Sequence, residues 1–371
     1  MSPDEAPRTL LDGLNMNTWA PSVLVPWQAL FSFADEALEA VGMRSDEAKL
    51  TADTLVLADL RGSHSHGVMR LPVYIKRIKS GVVRAQANIS IVHEGPATAL
   101  IDGGNGMGQV TSARAMALCI DKTRNGGAAC VGVRNSNHNG AILYYTLMAV
   151  RHNMIGLAVT DGAQNVMAPW GGKTRLLGTN PISIAFPRKK EDPIVLDMAL
   201  TVASIGRVVD ALKRGEAIPY GWALDREGRA TREPDKALRG VFLPIGDYKG
   251  YALALAVSML AGVLTGGAFG HEVPPFWDDF LTPQNTGHLM AALAIGSFMP
   301  AEEYAERVDR LVEEIKRAEL ANGFQQTLLP GERGFETERR SRKEGIRLAL
   351  RVYEELSQLA VELGLGTKLR R

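Results

Sequence analysis

Both ends of the chain space their apolar residues with the period of an amphipathic helix. Residues 27–41 show this spacing first, and a second helix is predicted over 45–61, with Ser45 as its N-cap and acidic residues in its first turn. The spacing returns over 301–321 and in a last, charged helix over 343–363. We therefore expect a helical domain that is built from both termini.

The middle of the chain carries short runs of β-branched and other apolar residues, separated by Gly, Asn and Pro. These runs predict strands over 89–92, 98–101, 130–133, 155–160, 182–186, 194–196 and 288–295. Helices are predicted between them over 110–124, 140–152 and 208–213. Strands and helices mixed in this way indicate an α+β fold, with a sheet core beside the helical domain.

One apolar run tests whether the chain enters a membrane. Residues 251–269 contain no charged side chain, and this length nominally suffices for a membrane span. The run also contains three glycines, and Lys249 lies just before it. We therefore predict a fully buried helix that ends near Thr265 in preference to a span.

The composition narrows the class of protein. The chain has 371 residues, 46% of them hydrophobic, and its 42 basic and 41 acidic residues give a formal net charge of +1. No basic excess points to nucleic acid or to an anionic membrane as a partner. The two cysteines, Cys119 and Cys130, lack the paired spacing of a metal or redox motif, which favours a cytoplasmic protein. Residues 1–24 have no signal-peptide pattern and are expected to form an N-terminal arm.

The segment 63–70, Ser-His-Ser-His-Gly-Val-Met-Arg, concentrates chemically useful side chains. On a helix, His66 and Arg70 would share one face, where the guanidinium could hold a carboxylate and the imidazole could move a proton at the adjacent carbon. The alternative is a polar helix start that Ser63 or Ser65 caps. The segment thus permits chemistry on 2-hydroxy or 2-oxo acids without establishing it.

A dinucleotide fingerprint is missing. No Gly-x-Gly-x-x-Gly follows a strand, and the glycines of 103–108 have the wrong spacing. A dinucleotide would therefore have to bind without the Rossmann motif.

Further polar or glycine-rich stretches follow the 63–70 segment, and each alone is weak evidence for a ligand site. In order along the chain, they resemble the type 2 malate/L-lactate dehydrogenase family, which also contains ureidoglycolate, sulfolactate, diketogulonate and cyclic-imine reductase members. The similarity runs from about residue 25 to residue 364. The matching stretches are 58–62, 65–67, 106–110, 169–172, 178–181, 197–199, 221–223, 249–251, 261–264 and 330–332, with Arg70, His138, Gly140 and Asp225.

The resemblance implies a role for particular residues. It implies that His66 is the general acid/base, that Ser65 orients it, and that Arg70 holds the substrate carboxylate while Thr179 contacts the substrate. Ureidoglycolate-type members assign the proton acceptor to the position of His138, so both histidines stay candidates. The implied cofactor contacts are Asp197, Met198, Ala199, Lys249, Gly331 and Glu332, and no metal is implied.

The resemblance also implies an architecture. It implies a non-Rossmann fold that binds NAD or NADP, takes a small carboxylic acid as substrate, and forms a homodimer with the site near the subunit interface. On this basis we predict a helical domain over 25–85 and 301–371, and an NAD(P)-binding sheet domain over 86–135 and 195–300. Residues 136–194 are predicted as a small inserted domain.

Several alternatives remain open at this point. Arg207 stands where cyclic-imine reductases carry an acidic residue, which disfavours an imine substrate. Asn137 and Asn139 flank His138 where relatives carry other residue types, so the pocket can differ in polarity. A metal-dependent hydrolase that uses His64, His66 and His138 is a reading from another class. The sequence does not distinguish NAD from NADP, or malate and lactate from ureidoglycolate.

Overall fold

The computed structural model describes residues 21–189 and 191–366. Its centre is a seven-stranded sheet with the strand order β2-β3-β4-β10-β5-β6-β7, in which only the β3–β4 pair is parallel. The strands are β1 Ser22–Val25, β2 Ser90–Glu94, β3 Thr98–Asp102, β4 Ala128–Ser136, β5 Met154–Thr160, β6 Ile182–Phe186, β7 Ile194–Met198, β8 Ala223–Leu224, β9 Val241–Phe242, β10 Thr286–Ala294 and β11 Ile346–Ala349. Each of the seven predicted strands coincides with an observed one, and the α+β class is confirmed.

Helices cover the sheet and form a separate layer at one end. They are α1 Trp27–Ala40, α2 Ser45–Leu60, α3 Leu71–Lys79, α4 Gly108–Gly126, α5 Leu143–Val150, α6 Ile205–Arg214, α7 Pro234–Arg239, α8 Tyr248–Val257, α9 Ala301–Arg317, α10 Glu332–Glu344 and α11 Leu350–Glu362. Helix α4 packs on β4 and β10, and α5 packs on β5 and β6. Ser45 is the first helical residue of α2 and not its N-cap, because Arg44, still extended, holds the N-cap position.

The helical layer has a core that both ends of the chain share. Leu30 and Leu55 from the N-terminal part pack in one apolar cluster with Ile346 and Leu356 from the C-terminal part. Burying these side chains together removes the apolar faces of α1, α2 and α11 from water. The prediction of a helical domain from both termini is therefore confirmed.

Two predictions near the termini need correction. Residues 22–24 of the predicted N-terminal arm belong to β1, which pairs antiparallel with β11, Ser22 opposite Ala349. The predicted continuous helix over 343–363 is wrong, because Gly345 has a φ of 101° and ends α10, after which the chain enters β11. A left-handed φ of this kind suits glycine and stops a helix. Residues 1–20 lie outside the described residues.

The segment 136–194, predicted as a small inserted domain, supplies β5 and β6 to the central sheet. The two strands therefore share the hydrogen-bonded network of β4 and β10 and form no sheet of their own. A smaller lobe does form after β7: α6 and α7 pack with β8 and β9 around Val208, Ala223 and Phe242. The domain boundaries themselves remain predictions.

The apolar run 251–269 is not the fully buried helix that was predicted. Helix α8 ends at Val257 and continues as a π-helical turn, Ser258–Val263. One face packs on the sheet through Ala254 and Ala261, while Met259 and Leu264 on the other face are 51% and 66% exposed. Among the described residues, none of the helices has the length and apolar content that crossing a bilayer requires.

Candidate active site

The 63–70 segment connects α2 to α3 as two separate 3₁₀ turns, His64–His66 and Val68–Arg70. The single helix that would place His66 and Arg70 at i and i+4 is therefore wrong. The cause lies in Asp59, a buried residue of α2. Its carboxylate accepts the N–H of Val68 at 2.7 Å and contacts His64 Nδ1 at 2.7 Å, which pulls the chain into a new turn after Gly67.

The structure brings the two candidate histidines together. His138 follows β4, and its ring stacks on the ring of His66 with 5.7 Å between centroids and 13° between planes. The Ser65 hydroxyl lies 3.0 Å from His66 Nδ1, as the predicted serine–histidine pair requires. The imidazoles of His66 and His138 thus lie side by side, although they come from different parts of the chain.

A hydrogen-bond relay behind His138 contains two residues that the sequence reading missed. Gln109 Nε2 donates to the Tyr74 hydroxyl at 3.0 Å, and that hydroxyl lies 2.6 Å from His138 Nδ1. The backbone N–H of Gly140 also points at Nδ1, at 3.4 Å. Because Nδ1 accepts, the ring proton of neutral His138 belongs on Nε2. Tyr74 follows Arg70 by four positions, a spacing that could have suggested a shared location.

Arg70 is a cation without a carboxylate partner among the described residues. Its Nε donates to the carbonyl of Ser65 at 2.6 Å, and its guanidinium carbon lies 4.4 Å above the Trp277 ring. The two terminal nitrogens therefore remain to bind an anion in the forked geometry that guanidinium offers.

The electrostatics of this cluster keep both imidazoles neutral. Burial, with a smaller effect from the Arg70 charge, lowers the pKa of His66 to about 3, and burial lowers the pKa of His138 well below its ordinary value. Burial also raises the pKa of Tyr74 to about 12, so its hydroxyl stays protonated and can donate to His138. A carboxylate bound to Arg70 would add a negative charge and move both histidine pKa values upward.

Thr179 lies in a turn that joins three predicted segments. Its carbonyl accepts the N–H of Leu200 at 2.8 Å, and the carbonyl of Leu200 accepts the N–H of Ile245 at 3.0 Å. Leu200 follows Ala199 directly, and Ile245 precedes Lys249 at the start of α8. The predicted substrate residue and two of the predicted cofactor segments are therefore neighbours.

Gln284 connects this turn to the histidine cluster. Its amide donates to the carbonyl of Ala163 at 2.9 Å and accepts the N–H of His138 at 3.4 Å. Next to Ala163, Gly162 packs so tightly on Gly178 that a Cβ added to Gly162 would lie 2.6 Å from the Gly178 Cα. A continuous series of contacts thus connects the segment of Thr179 to the histidine cluster.

The remaining predicted cofactor residues lie at the edge of the sheet. Asp197 and Met198 end β7, and the N–H of Val195 in this strand donates to the carbonyl of Pro330 at 3.0 Å, which places Gly331 beside the strand. Glu332 begins α10, and its carboxylate pairs with Lys316 at 2.6 Å.

Arg61 links this edge to the 63–70 segment. It directly follows α2, donates to Glu338 at 3.1 Å, and lies 3.8 Å over the ring of Phe335, both residues of α10. The exposed carboxylate of Asp197 can accept a hydrogen bond from a ribose hydroxyl. Four residues further along, the buried hydroxyl of Thr201 has no hydrogen-bond partner within the described part of the chain.

The metal-hydrolase alternative finds no ligand set in the described part of the chain. Over 21–189 and 191–366, no three His, Cys, Asp or Glu side chains gather as a metal site would require. His64, one of the three histidines of that hypothesis, is bonded to Asp59 instead.

Comparisons with known proteins agree with this geometry. The sequence profile of the malate/L-lactate dehydrogenase family matches residues 25–357. The chain is 40% identical to a malate dehydrogenase of Pyrococcus horikoshii over 92% of this chain and 96% of the relative. It is 42% identical to the L-sulfolactate dehydrogenase of Methanocaldococcus jannaschii over 89% of this chain and 94% of that one.

The solved structures give the same result. The sulfolactate dehydrogenase from Methanocaldococcus jannaschii superposes with a TM-score of 0.87 at 38% identity, over 92% of this chain and 98% of that one. The sequence match and the fold match each extend over nearly the whole chain. The chain therefore belongs to the malate/L-lactate dehydrogenase family.

Proposed function

We propose that this protein is an NAD(P)-dependent dehydrogenase that transfers a hydride between the nicotinamide and C2 of a small 2-hydroxy or 2-oxo acid. The observation that carries the proposal is the arrangement of Arg70, His66 and His138. An arginine without a carboxylate partner among the described residues lies beside two neutral imidazoles. An acid whose carboxylate neighbours an oxygen-bearing carbon matches both kinds of group at once.

Arg70 has the first task, which is to fix the substrate. Its terminal nitrogens hold the carboxylate, and because its Nε is already bonded to the carbonyl of Ser65, the guanidinium has a defined position along the chain. Holding the acid at one end limits where C2 can lie, and this positioning accounts for a large part of enzymatic rate enhancement. Thr179 is the second proposed contact of the substrate.

The two histidines divide the proton chemistry. His66, oriented by Ser65, takes the hydroxyl proton in the oxidative direction and returns it in the reductive direction. His138, whose Nδ1 accepts from Tyr74, presents its Nε2–H to the substrate oxygen and polarises it. The bound carboxylate raises the pKa of His66 from its low value toward the range in which it can exchange a proton.

The nicotinamide supplies or accepts the hydride when the dinucleotide is bound. Residues 197–199, Lys249, Gly331 and Glu332 would hold it, Asp197 through a ribose hydroxyl and Lys249 through phosphate charge. These assignments rest on the family resemblance and on the proximity of the segments around Thr179 and Val195. Either NAD or NADP is compatible with them.

Malate and sulfolactate are the substrates we favour, since relatives of those names share 40% and 42% identity with the chain. A ureidoglycolate substrate, suggested by a more distant relative of that name, is the alternative within the same chemistry. Arg207, on the exposed start of α6, still disfavours a cyclic imine.

We further propose a homodimer in the cytoplasm. The exposed apolar face of α8 and its π-helical continuation is suited to contact with a second copy, because large apolar patches in water mark interfaces. Both cysteines are free, as is usual in a reducing compartment.

The first experiment is oxidation of NADH and NADPH by the purified protein against oxaloacetate, sulfopyruvate, pyruvate and a cyclic-imine acid, with ureidoglycolate and NAD in the oxidative direction. Turnover of a 2-oxo acid whose kcat/KM falls steeply but stays measurable in an Arg70→Ala variant supports the proposal. Turnover that is indifferent to Arg70, or restricted to the imine, contradicts it.

A further inference from the structure

A tight turn over residues 274–282 forms one wall of the candidate site. The N–H of Asp279 donates to the carbonyl of Pro275 at 3.1 Å, which closes the turn. The Asp279 carboxylate then accepts the N–H groups of Leu281 and Thr282 at 2.8 and 2.9 Å. These hydrogen bonds within the turn give it one defined shape.

Arg77 of α3 attaches this turn to the helix that follows the 63–70 segment. The guanidinium is buried, with 1% exposure, and its Nη1 donates to the carbonyls of Phe276 and Asp279 at 3.0 and 2.8 Å. Helix α3 begins directly after Arg70. The same helix therefore positions both Arg70 and the turn that faces it.

Two aromatic residues of the turn point at the site. Phe276 is buried, with its ring 5.1 Å from the ring of His138 and 6.2 Å from that of Tyr74. Trp277 keeps 38% exposure and lies under the guanidinium of Arg70, 4.4 Å from the guanidinium carbon to the ring centroid. The corresponding distance from Arg70 to Phe276 is 5.5 Å, so Trp277 is the closer contact.

The contact between Arg70 and Trp277 has a geometric consequence for carboxylate binding. The hydrogen bond from Arg70 Nε fixes one edge of the guanidinium but leaves its plane free to turn about that bond. A bidentate pair with a carboxylate requires the two planes to coincide. A flat indole under the guanidinium restricts this rotation and adds cation–π attraction.

We propose that Trp277 is a positioning residue, which acts through Arg70 to set the plane in which the substrate carboxylate binds. The inference rests on the proposed function, because it assigns a task to the arginine of that same site. A residue with this task affects the binding of the acid and leaves the binding of the dinucleotide unchanged.

The test compares Trp277→Leu, Trp277→Phe and a matched control, Phe280→Leu. Phe280 belongs to the same turn, and its ring centroid lies 3.9 Å from the Lys76 ammonium and 5.9 Å from the guanidinium carbon of Arg77. Among the described residues, the aromatic rings over which the Arg70 guanidinium lies are those of Trp277 and Phe276. We expect Trp277→Leu to raise KM for the 2-oxo acid about tenfold, Trp277→Phe to retain most of the affinity, and Phe280→Leu to stay close to the unaltered protein. KM for the dinucleotide should be the same in all four proteins.

A double-mutant cycle with Arg70→Ala decides whether the effect passes through the arginine. In the Arg70→Ala background, Trp277→Leu should cause no further reduction in the affinity for the 2-oxo acid. An equal loss in both backgrounds, or the same loss from Phe280→Leu, would overturn the inference and show a structural role only.

Calorimetric binding of oxamate, an unreactive analogue of a 2-oxo acid, separates this inference from the proposed function. Oxamate binding that depends on Arg70 and Trp277, without turnover of any acid, would retain the positioning role and reject the dehydrogenase reaction. Turnover that depends on Arg70 but not on Trp277 would retain the dehydrogenase reaction and reject the positioning role of Trp277. Absence of both binding and turnover would reject both.

Discussion

The Ser65 hydroxyl lies 3.0 Å from His66 Nδ1, which leaves Nε2 of that imidazole to face a ligand. We expect His66→Ala to reduce kcat by about 10²–10⁴-fold, the usual contribution of a positioned acid or base. His138→Ala should reduce kcat less, since we propose that His138 only donates a hydrogen bond to the substrate oxygen. Steady-state kinetics of both variants measure the difference. Near-normal turnover in His66→Ala, with collapse in His138→Ala, would transfer the acid/base role to His138.

A third histidine, His288 of β10, lies fully buried behind the site. Its Nδ1 is 2.6 Å from the Thr160 hydroxyl and 3.3 Å from the Asn139 amide, and its Nε2 is 2.9 Å from the Ser136 hydroxyl. Because the amide of Asn139 can only donate to Nδ1, the ring proton belongs on Nε2. Burial lowers the pKa of this neutral imidazole to about 3.

The depressed pKa of His288 makes stability depend on pH. Between about pH 6.5 and pH 3 the unfolded chain protonates this histidine and the folded chain does not, so the free energy of unfolding falls as the pH falls. We expect His288→Gln to remove up to about 1.4 kcal/mol per pH unit of this slope. Urea unfolding at several acidic pH values measures it. A variant with an unchanged slope would show that His288 is protonated in the folded protein.

Single residues also mark the limit of what the sequence could predict about the site. Ser65, His66 and Arg70 lie together in one short motif and could be recognised there. Four other residues could not be recognised from the sequence, because only their contacts with distant parts of the chain indicate a role. They are Tyr74, Gln109, Phe276 and Trp277. A tyrosine on an apolar helix face is in most cases core, and the spacing of four positions from Arg70 does not predict the contact of Tyr74 with His138.

At the scale of elements, apolar periodicity predicted most strands and helices, because one buried face imposes a repeat on the sequence. The errors occur where a polar contact or a special backbone angle overrides periodicity. Gly345 ends α10 through its left-handed φ, and Asp59 divides the 63–70 segment into two turns. A hydrogen bond from a backbone N–H to a carboxylate elsewhere in the chain does not change the spacing of apolar residues, so the sequence pattern does not show it.

Gly67 tests the importance of this interruption. A Cβ on Gly67 would lie 2.1 Å from the buried Asp59 carboxylate, so Gly67→Ala must displace it from its bonds to Val68 and His64. We expect a loss of about 2–4 kcal/mol in the free energy of unfolding and a fall in kcat, since His66 is carried by the same turns. Gly126, at the exposed end of α4 with open space around it, is the control. Gly126→Ala should be neutral, and a neutral Gly67→Ala would contradict the assigned role of Asp59.

At the scale of the whole molecule, the site is assembled from the ends and the middle of the chain together. The helical layer supplies His66 and Arg70, the sheet and its loops supply His138 and Thr179, and Arg61 bonds the end of α2 to α10. This division explains why the fold class was predictable from the pattern while only part of the site was. Pattern describes each layer by itself, whereas the site exists only where the layers meet.

The exposed apolar face of α8 leads to a prediction about the homodimer. Four large apolar side chains along one continuous stretch are each at least 40% exposed: Leu253, Met259, Leu260 and Leu264. Leaving them in water is unfavourable by about 25 cal/mol per Å² of apolar surface, which a second copy of the chain could recover. We expect sedimentation equilibrium to show a dimer for the unaltered protein and a monomer for Leu260→Glu combined with Leu264→Glu, because two carboxylates cannot be buried there without partners. The control is Leu281→Glu, a leucine that is 92% exposed on the turn near Trp277 and should leave the dimer intact. A monomeric unaltered protein at micromolar concentration, or a dimer that survives both glutamates, would place the subunit contact elsewhere or remove it.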